Sequence, residues 1–335
     1  MMYDWKWNLA DLKQDKDVTV FSTFSCGGGS SMGYKRAGLK VIGNCEIDKK
    51  INDMYVKNHH PKYNYCMDLR EFNQLKEYPE ELLNLDILDG SPPCSTFSMA
   101  GSREKAWNKA KQFREGQKLQ TLDDLFFIFL DTVRVLKPKI VVAENVTGLV
   151  KGNAKGYVNE IIKGFRELGY SVQMFVLNGA KMEVPQARER VFFIANRMNY
   201  PKLTLNFNYP EIKFCEIRTE EFVPLTQFET KYWLYVRKSD TSFADVDKRL
   251  TGKGSYFGQV IVWDNRVCPT ITSGGGFVKA DMASQFSDGD FINAQSFPQD
   301  YDFNGNSVQY VCGMSVPPNM MAHVANNIYE QWLKK

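Results

Sequence analysis

The chain has 335 residues, with 42 basic against 39 acidic side chains, a net charge of +3 and a hydrophobic fraction of 43%. That length suits a large domain plus a smaller one, and the composition is that of a globular chain with no apolar run near the ~20 residues of a membrane span. The charge is too small to announce a nucleic-acid partner by itself. The opening "MMYDWKWNLADLKQDKD" lacks the apolar core of a signal peptide, so a cytoplasmic protein is expected. Seven cysteines are scattered with no Cys-x-x-Cys, which argues against a disulfide framework and a zinc site. With only three histidines, no metal site is expected. The pair His59–His60, before Pro61, reads as a solvated turn.

In chain order, Val18–Phe24 reads as a strand running into a Gly-rich turn, "FSCGGGSSMG". Gly27, Gly28 and Gly29 allow close approach of a ligand, and the amides of a helix start favour anionic groups. The pattern departs from Gly-x-Gly-x-x-Gly and does not choose between a dinucleotide and another adenosine-containing cofactor. A second strand, Val41–Glu46, ends at "EID". An acidic residue there, about twenty residues on, can accept both ribose hydroxyls. A helix over Lys49–Asn58 and a third strand lead to "YCMDLRE", where Asp68 could accept from the adenine amine.

Leu85–Asp89 is a short buried strand, ended abruptly by "GSPPCSTFS". Two prolines fix φ twice and remove two donors, so the chain must leave the sheet in an extended turn. Cys94 then sits beyond the carboxyl end of a strand, where open α/β sheets bind ligands. On this stretch alone it is either a small core residue or a nucleophile held by its turn. Between Ser102 and Lys118 six cations face two carboxylates, a polar stretch suited to an anionic substrate. A helix over Leu119–Leu136, a strand Lys139–Glu144, a helix Gly156–Leu168 and strands Ser171–Leu177 and Val191–Asn196 follow. Strand and helix in alternation imply an α/β fold with a mostly parallel sheet covered on both faces. After residue 197 the texture turns aromatic, β-branched and broken, until "MAHVANNIYEQWLKK" returns to a helical pattern. The expected domains are therefore 1–197, 198–305 (small and β-rich) and 306–335, packing back on the first.

"SPPCSTFS", "AENVTGL" and "QARER" occur in that order, each beside a strand end. Together with the Gly-rich opening, "EID", "RVCPTIT" and "GMSVPP", they resemble the DNA (cytosine-5)-methyltransferase family over roughly residues 18 to 330. The resemblance implies a Rossmann-like catalytic domain, a small target-recognition domain and S-adenosylmethionine as cofactor, leaving S-adenosylhomocysteine as product. Cys94 matches the family nucleophile. The chemistry is consistent with that assignment, because carbon 5 of cytosine becomes enamine-like once a thiolate adds at carbon 6. Glu144 matches the family glutamate that contacts the ring nitrogen and exocyclic amine. Arg188 and Arg190, expected to point the same way on an extended segment, match arginines near the target base.

By the same resemblance, Phe24 stacks on adenine, Glu46 holds the ribose, Asp68 binds the adenine amine and Pro92 lines the pocket. Ser25, Gly27, Gly28, Gly29, Ile47, Leu69, Met314 and Ser315 complete the cofactor set. The partner is double-stranded DNA, approached through Ser95, Arg103, Lys105, Val146 and Gln186, with the target base flipped out. The basic stretch corresponds to the family loop that closes over DNA, and residues 200–264 to the variable target-recognition region. A monomer with no membrane contact is implied, with a restriction endonuclease as a partner in function only. One departure stands out: the family usually has Asn where Met314 stands, and a thioether cannot replace amide donors. A tRNA methyltransferase of the same superfamily would keep these blocks, but such relatives usually carry a Cys-Phe-Thr signature absent here. A silent DNA-binding relative would not need Cys94, Glu144 and both arginines intact.

Overall fold

The computed structural model describes residues 2–93, 125–150 and 155–334. Cys94, Ser95, Arg103 and Lys105, the basic stretch that follows them, and the first six residues of the helix expected over Leu119–Leu136 lie outside those residues. The chain divides into two compact units.

The larger unit comprises Leu12–Asn178, Glu189–Asn206 and Met321–Lys335. Its strands are β1 (Thr19–Thr23), β2 (Lys40–Cys45), β3 (Tyr63–Tyr65), β4 (Ile87–Gly90), β5 (Ile140–Val146), β6 (Ser171–Asn178) and, after a two-residue β7 (Gln186–Ala187) in the smaller unit, β8 (Glu189–Asn196). They form one seven-stranded sheet in the order β3-β2-β1-β4-β5-β8-β6. The first five strands run parallel, and β8 is antiparallel to both β5 and β6. The sheet is thus α/β and mostly parallel, as the alternating pattern implies. Strands such as "IVVAENV" read as continuous apolar runs because both faces are covered.

Helices α1 (Gly29–Arg36), α2 (Lys49–His59), α3 (Leu69–Phe72), α4 (Glu80–Leu83), α5 (Leu125–Leu136) and α6 (Lys155–Glu167) connect the strands. The main core joins Leu88, Val141, Ala143 and Phe193 to Phe126, Phe129 and Phe165 of α5 and α6. Alternation along a strand then turns Asp89, Val142 and Glu144 to the opposite face. That face, toward α1 and α2, carries the polar groups described below.

The smaller unit comprises Met1–Asp11, Gly179–Arg188 and Phe207–Met320. Its sheet runs β10 (Gln259–Val262), β12 (Gly276–Lys279), β13 (Ser284–Gln285), β9 (Val223–Pro224), while β11 (Cys268–Pro269) pairs with β7. Tyr232, Phe243, Val246, Ile261 and Val278 form its core. Lys279 and Asp290 make a fully buried ion pair at 2.9 Å. Its charges are satisfied further, since Lys279 Nζ donates to Glu221 O at 2.7 Å and Asp290 accepts from the Thr219 amide at 2.7 Å.

The texture of the sequence suggested divisions at 197 and 305, but the chain instead crosses between units five times. The reasons are specific pairings that no local pattern announces. Trp7 Nε1 donates to Ser296 O (2.9 Å) and the Leu9 amide to Asp300 (2.6 Å), drawing in the first residues. Gln186 pairs with Cys268, drawing in the segment after β6. Of the C-terminal stretch only Met321–Lys335 belongs to the larger unit, where Trp332 Nε1 donates to Pro201 O at 2.9 Å.

Candidate active site

The turn after β1 is strained in a regular way. Phe24 (φ 51°), Cys26 (φ 45°) and Gly28 (φ 72°), alternate residues, all lie in the left-handed region. For a bulky L-residue this costs about 1–2 kcal/mol, and such strain concentrates at functional sites. One amide of the turn closes it on itself, the Gly28 N–H donating to the Ser25 carbonyl at 2.8 Å. The turn is held from behind. Glu46 accepts from the Cys26 amide (2.9 Å) and the Asp48 amide (3.0 Å), and Ser25 Oγ accepts from Asn44 Nδ2 (3.2 Å). Burial lifts the Glu46 carboxyl above the usual range, while these amides oppose the shift.

Gly28 has a second constraint. A Cβ there would lie 2.1 Å from Nε2 of His59. His59 is buried and stacked on Tyr55 (ring centroids 4.3 Å apart), whose hydroxyl meets Ser31 Oγ at 2.7 Å. Lys35 Nζ donates to the His59 carbonyl at 3.1 Å. The solvated-turn reading of the His59–His60 pair is therefore corrected. Only His60 is exposed, capping α2, whereas His59 is the floor of the glycine turn. Burial drives the His59 imidazole well below its ordinary range, with the Lys35 charge next, so the ring is neutral.

Other expected cofactor residues differ in what they offer. Phe24 is half-buried against the core, and Ile47 is partly exposed beside Glu46. Asp68 caps α3, accepting from the Arg70 amide (2.8 Å) and pairing with its guanidinium (3.2 Å). Leu69 is packed in the core.

The ends of β4 and β5 meet at the proline turn. Asn145 Nδ2 donates to the buried Pro92 carbonyl at 3.1 Å, and its Oδ1 accepts from the Val146 amide at 2.8 Å. The "ENV" and "SPPCS" blocks are thus bonded directly. Register places Arg190 opposite Val146 and Phe192 opposite Glu144, so Arg190 lies diagonal to Glu144 on one face. Their side chains pair, Nε to Oε1, at 2.9 Å. Burial lowers the Arg190 guanidinium, and the Glu144 charge offsets this.

Asp89, on the same face, is 1% exposed. It accepts from Ser22 Oγ (2.8 Å) and from the Tyr34 hydroxyl (3.2 Å). Burial raises its carboxyl to about 7, opposed by these hydroxyls and assisted by the charge of Glu144.

Arg188 and Arg190 have different partners. Arg188, 2% exposed, belongs to the smaller unit, where it donates to the carbonyls of Ile271 (2.8 Å), Gly313 (2.8 Å) and Ser315 (3.1 Å). Gln186, expected against DNA, is fully buried. It donates to Gln295 (2.6 Å) and accepts from the Ile271 amide (2.8 Å). Ser315 is buried beside them, whereas Met314, ending the helix Val308–Met314, is 41% exposed.

Asn145, His59 and Asp89 were not anticipated from sequence. Asn145 had a signal in its place within "ENV", and His59 had one in its four-residue spacing from Tyr55 on a helix. Asp89, inside an apparent core strand, had none beyond being a carboxylate where an apolar residue would serve.

A family model described as C-5 cytosine-specific DNA methylase matches residues 18–330. The chain is 28% identical to the type II methyltransferase M.Sau96I of Staphylococcus aureus, over 97% of this chain and 80% of that protein. It is 34% identical to M.FnuDI of Fusobacterium nucleatum, over 58% of this chain; that match spans about half of the relative's length (51%). Among solved structures, the S. pombe Dnmt2 methyltransferase superposes with a TM-score of 0.64 at 14% identity, covering 94% of this chain and 99% of that one. The Entamoeba histolytica methyltransferase EhMeth gives 0.62 at 16% identity, with 96% and 100% covered. At those identities the likeness establishes the fold.

Proposed function

The chain belongs to the C-5 cytosine-specific DNA methylases, and on that premise we propose that Cys94, Glu144 and Arg190 methylate cytosine at carbon 5 in double-stranded DNA. The observation that carries this reading is the junction of the two motif strands. Asn145 holds the Pro92 carbonyl, two residues before Cys94, while the adjacent Glu144 is paired with Arg190. One bond fixes Pro92, two residues before the proposed nucleophile, and the neighbouring side chain is the proposed acid.

The glycine turn fits S-adenosylmethionine, which supplies the methyl group. Its glycines leave room for close approach, Glu46 at its edge offers a carboxylate to ribose hydroxyls, and Phe24 is partly exposed for stacking. The target carbon is inaccessible in a duplex, so the base is flipped out at a cost of about a few kcal/mol. Cys94 thiolate adds to carbon 6, and Glu144 gives a proton to the ring nitrogen, so that carbon 5 becomes nucleophilic. After methyl transfer the carbon 5 proton leaves to a base. The pair of electrons it releases expels the Cys94 sulfur as thiolate, and Glu144 recovers its proton. Arg190 holds Glu144 in place for both transfers.

Sequence choice falls to the smaller unit. Its 252–258 turn is anchored by the Ser255 amide bond to Asp247 (2.7 Å) and leaves Phe257 69% exposed, a side chain free to meet a base edge. The protein acts as a monomer, and the type II names of its relatives support a restriction endonuclease as its counterpart in the cell.

The test is base-resolution methylation sequencing of DNA from cells expressing the wild type or Cys94→Ser, with labelled methyl transfer to DNA and to tRNA compared in vitro. The expected result is 5-methylcytosine at one short motif, lost in Cys94→Ser while the variant still binds S-adenosylmethionine. Near-normal methylation by Cys94→Ser, or transfer to tRNA alone, overturns the proposal.

A further inference from the structure

The loop 272–276, "TSGGG", lies beyond the residues that the sequence assigns to target recognition, yet it is fastened to the turn that presents Phe257. Residues 272–275 are exposed. A glycine run gives up more freedom on ordering than other residues, so it holds one shape only where it is tethered. Gln309, on the helix Val308–Met314, donates from Nε2 to the carbonyls of Gly275 (3.0 Å) and Thr272 (3.4 Å). Within the loop, Thr272 Oγ1 donates to Gly274 O at 2.6 Å. At its far end the Gly276 amide donates to Gly258 O at 3.0 Å, where β12 starts beside β10. The approach there is close: Gly275 has φ 95°, and a Cβ on it would lie 2.5 Å from the same Gly258 carbonyl. Gly258 ends the 252–258 turn. In that turn Tyr256 holds φ 69°, a strained conformation for a bulky residue, with its ring against Phe228 (4.8 Å between centroids) and Tyr232 (5.2 Å). Its carbonyl accepts from the Gln259 amide at 3.0 Å, and the next side chain, Phe257, is left in solvent. All of these residues belong to the smaller unit.

We propose that Gln309 is a positioning residue for sequence selectivity: it fixes the 272–276 loop, the loop backs Gly258, and Gly258 sets where Phe257 stands. This rests on the reading above, in which the Phe257 turn meets a base edge. A contact discriminates between bases only when the reading group is held in place. A turn containing Gly252, Gly254 and Gly258 cannot hold itself. Asp247 pins it at Ser255, two residues before Phe257, and the Gly276–Gly258 bond pins it one residue after. Without the second pin, Phe257 drifts against neighbouring bases and near-matched sites gain on the true one. The bonds from Gln309 lie at the surface, so their loss disturbs the turn more than the fold. Recognition then extends past residue 264, to the glycine loop and the helix behind it.

The experiment is methylation of a randomised DNA library, read by base-resolution sequencing, with KM for S-adenosylmethionine and Tm. The proteins are wild type, Gln309→Ala, Gln309→Glu, Gly275→Ala, Phe257→Ala and the Gln309→Ala/Phe257→Ala double variant. Selectivity is the rate at the wild-type motif relative to motifs with one base pair changed. Gln309→Ala should lower it by about three- to tenfold, with KM for S-adenosylmethionine within about twofold of wild type. Gln309→Glu, which keeps the shape but loses the donor, should do the same. Gly275→Ala, which crowds the Gly258 carbonyl, should act in the same direction, and it keeps the test open if Gln309→Ala folds poorly. In the Phe257→Ala background Gln309→Ala should add less than about twofold, because the side chain it positions is gone. Unchanged selectivity in either Gln309 variant, a loss of rate uniform across motifs, or full additivity in the double variant overturns the proposal. Failure of the parent reading looks different: there, Phe257→Ala itself keeps the wild-type selectivity, or wild type makes no 5-methylcytosine, and either result takes the inference with it.

Discussion

Replacing Gly28 by alanine tests the idea that His59 is the floor of the cofactor turn. Two penalties are readable at that position. The φ of 72° places an L-residue in the left-handed region, at about 1–2 kcal/mol. A new Cβ also falls 2.1 Å from His59 Nε2, less than a covalently unbonded pair can tolerate. His59 has little room to yield, being 5% exposed, stacked on Tyr55 and held at its carbonyl by Lys35. The turn must move instead, and with it the amides of residues 24–28. The φ penalty alone corresponds to roughly a 5–30-fold loss, so Gly28→Ala should weaken S-adenosylmethionine binding by at least about tenfold in calorimetry and lower the Tm. The decisive measurement is the double-mutant cycle with His59→Ala. Removing the ring makes room for the methyl group, so Gly28→Ala should cost less in that background, by about 1 kcal/mol or more. Equal penalties in both backgrounds would refute the contact as the cause and leave only backbone strain.

Two further outcomes are expected. Asn145→Ala strips the buried Pro92 carbonyl of its donor, a loss of about 1–3 kcal/mol. Single-turnover methylation should fall roughly 5–150-fold with cofactor affinity nearly unchanged, and Asn145→Asp, an acceptor only when ionised, should not restore it. The dependence of Tm on pH should divide between two residues. Asp89 holds its proton to about pH 7 when folded but only to 3.8 when unfolded, so its stabilisation is full below 3.8 and lost as pH rises to 7. His59 refuses a proton that the unfolded chain accepts below 6.5, so its contribution is present above 6.5 and lost as pH falls. Asp89→Asn should therefore make Tm climb more steeply from pH 4 to 6.5, and His59→Gln should flatten it; curves parallel to wild type would contradict both assignments.

The sheet was legible in the sequence because its strands are short apolar runs separated by amphipathic helices, and local periodicity reports both. Glu144 and Arg190 were legible as a pair of chemical types, and the register between β5 and β8 joins them. What could not be read was anything depending on partners far along the chain. Arg188 looked like the twin of Arg190, yet the carbonyls of Ile271, Gly313 and Ser315 occupy it, and Gln186 looked available until Gln295 and Ile271 occupied it. His59 misled for the opposite reason. Its neighbours His60 and Pro61 do mark a turn, but the imidazole itself points inward under a glycine thirty-one residues earlier. Pairing at long range sets those cases, and a single sequence records no distance between such residues.

The way the smaller unit is assembled bears on its birth at the ribosome. Its first segment, Met1–Asp11, bonds to residues near Asp300, so its partner is synthesised some 291 positions later. At about 5–20 residues per second, those opening residues wait roughly 15–60 s for the chain that will hold them. Through that interval strands β1 to β5 can pair while the smaller unit lacks both the partner of its opening segment and most of its sheet. The larger unit waits as well, because β8 and Met321–Lys335 belong to it, so neither unit is complete until the last of its residues, Met320 in one and Lys335 in the other, has been made.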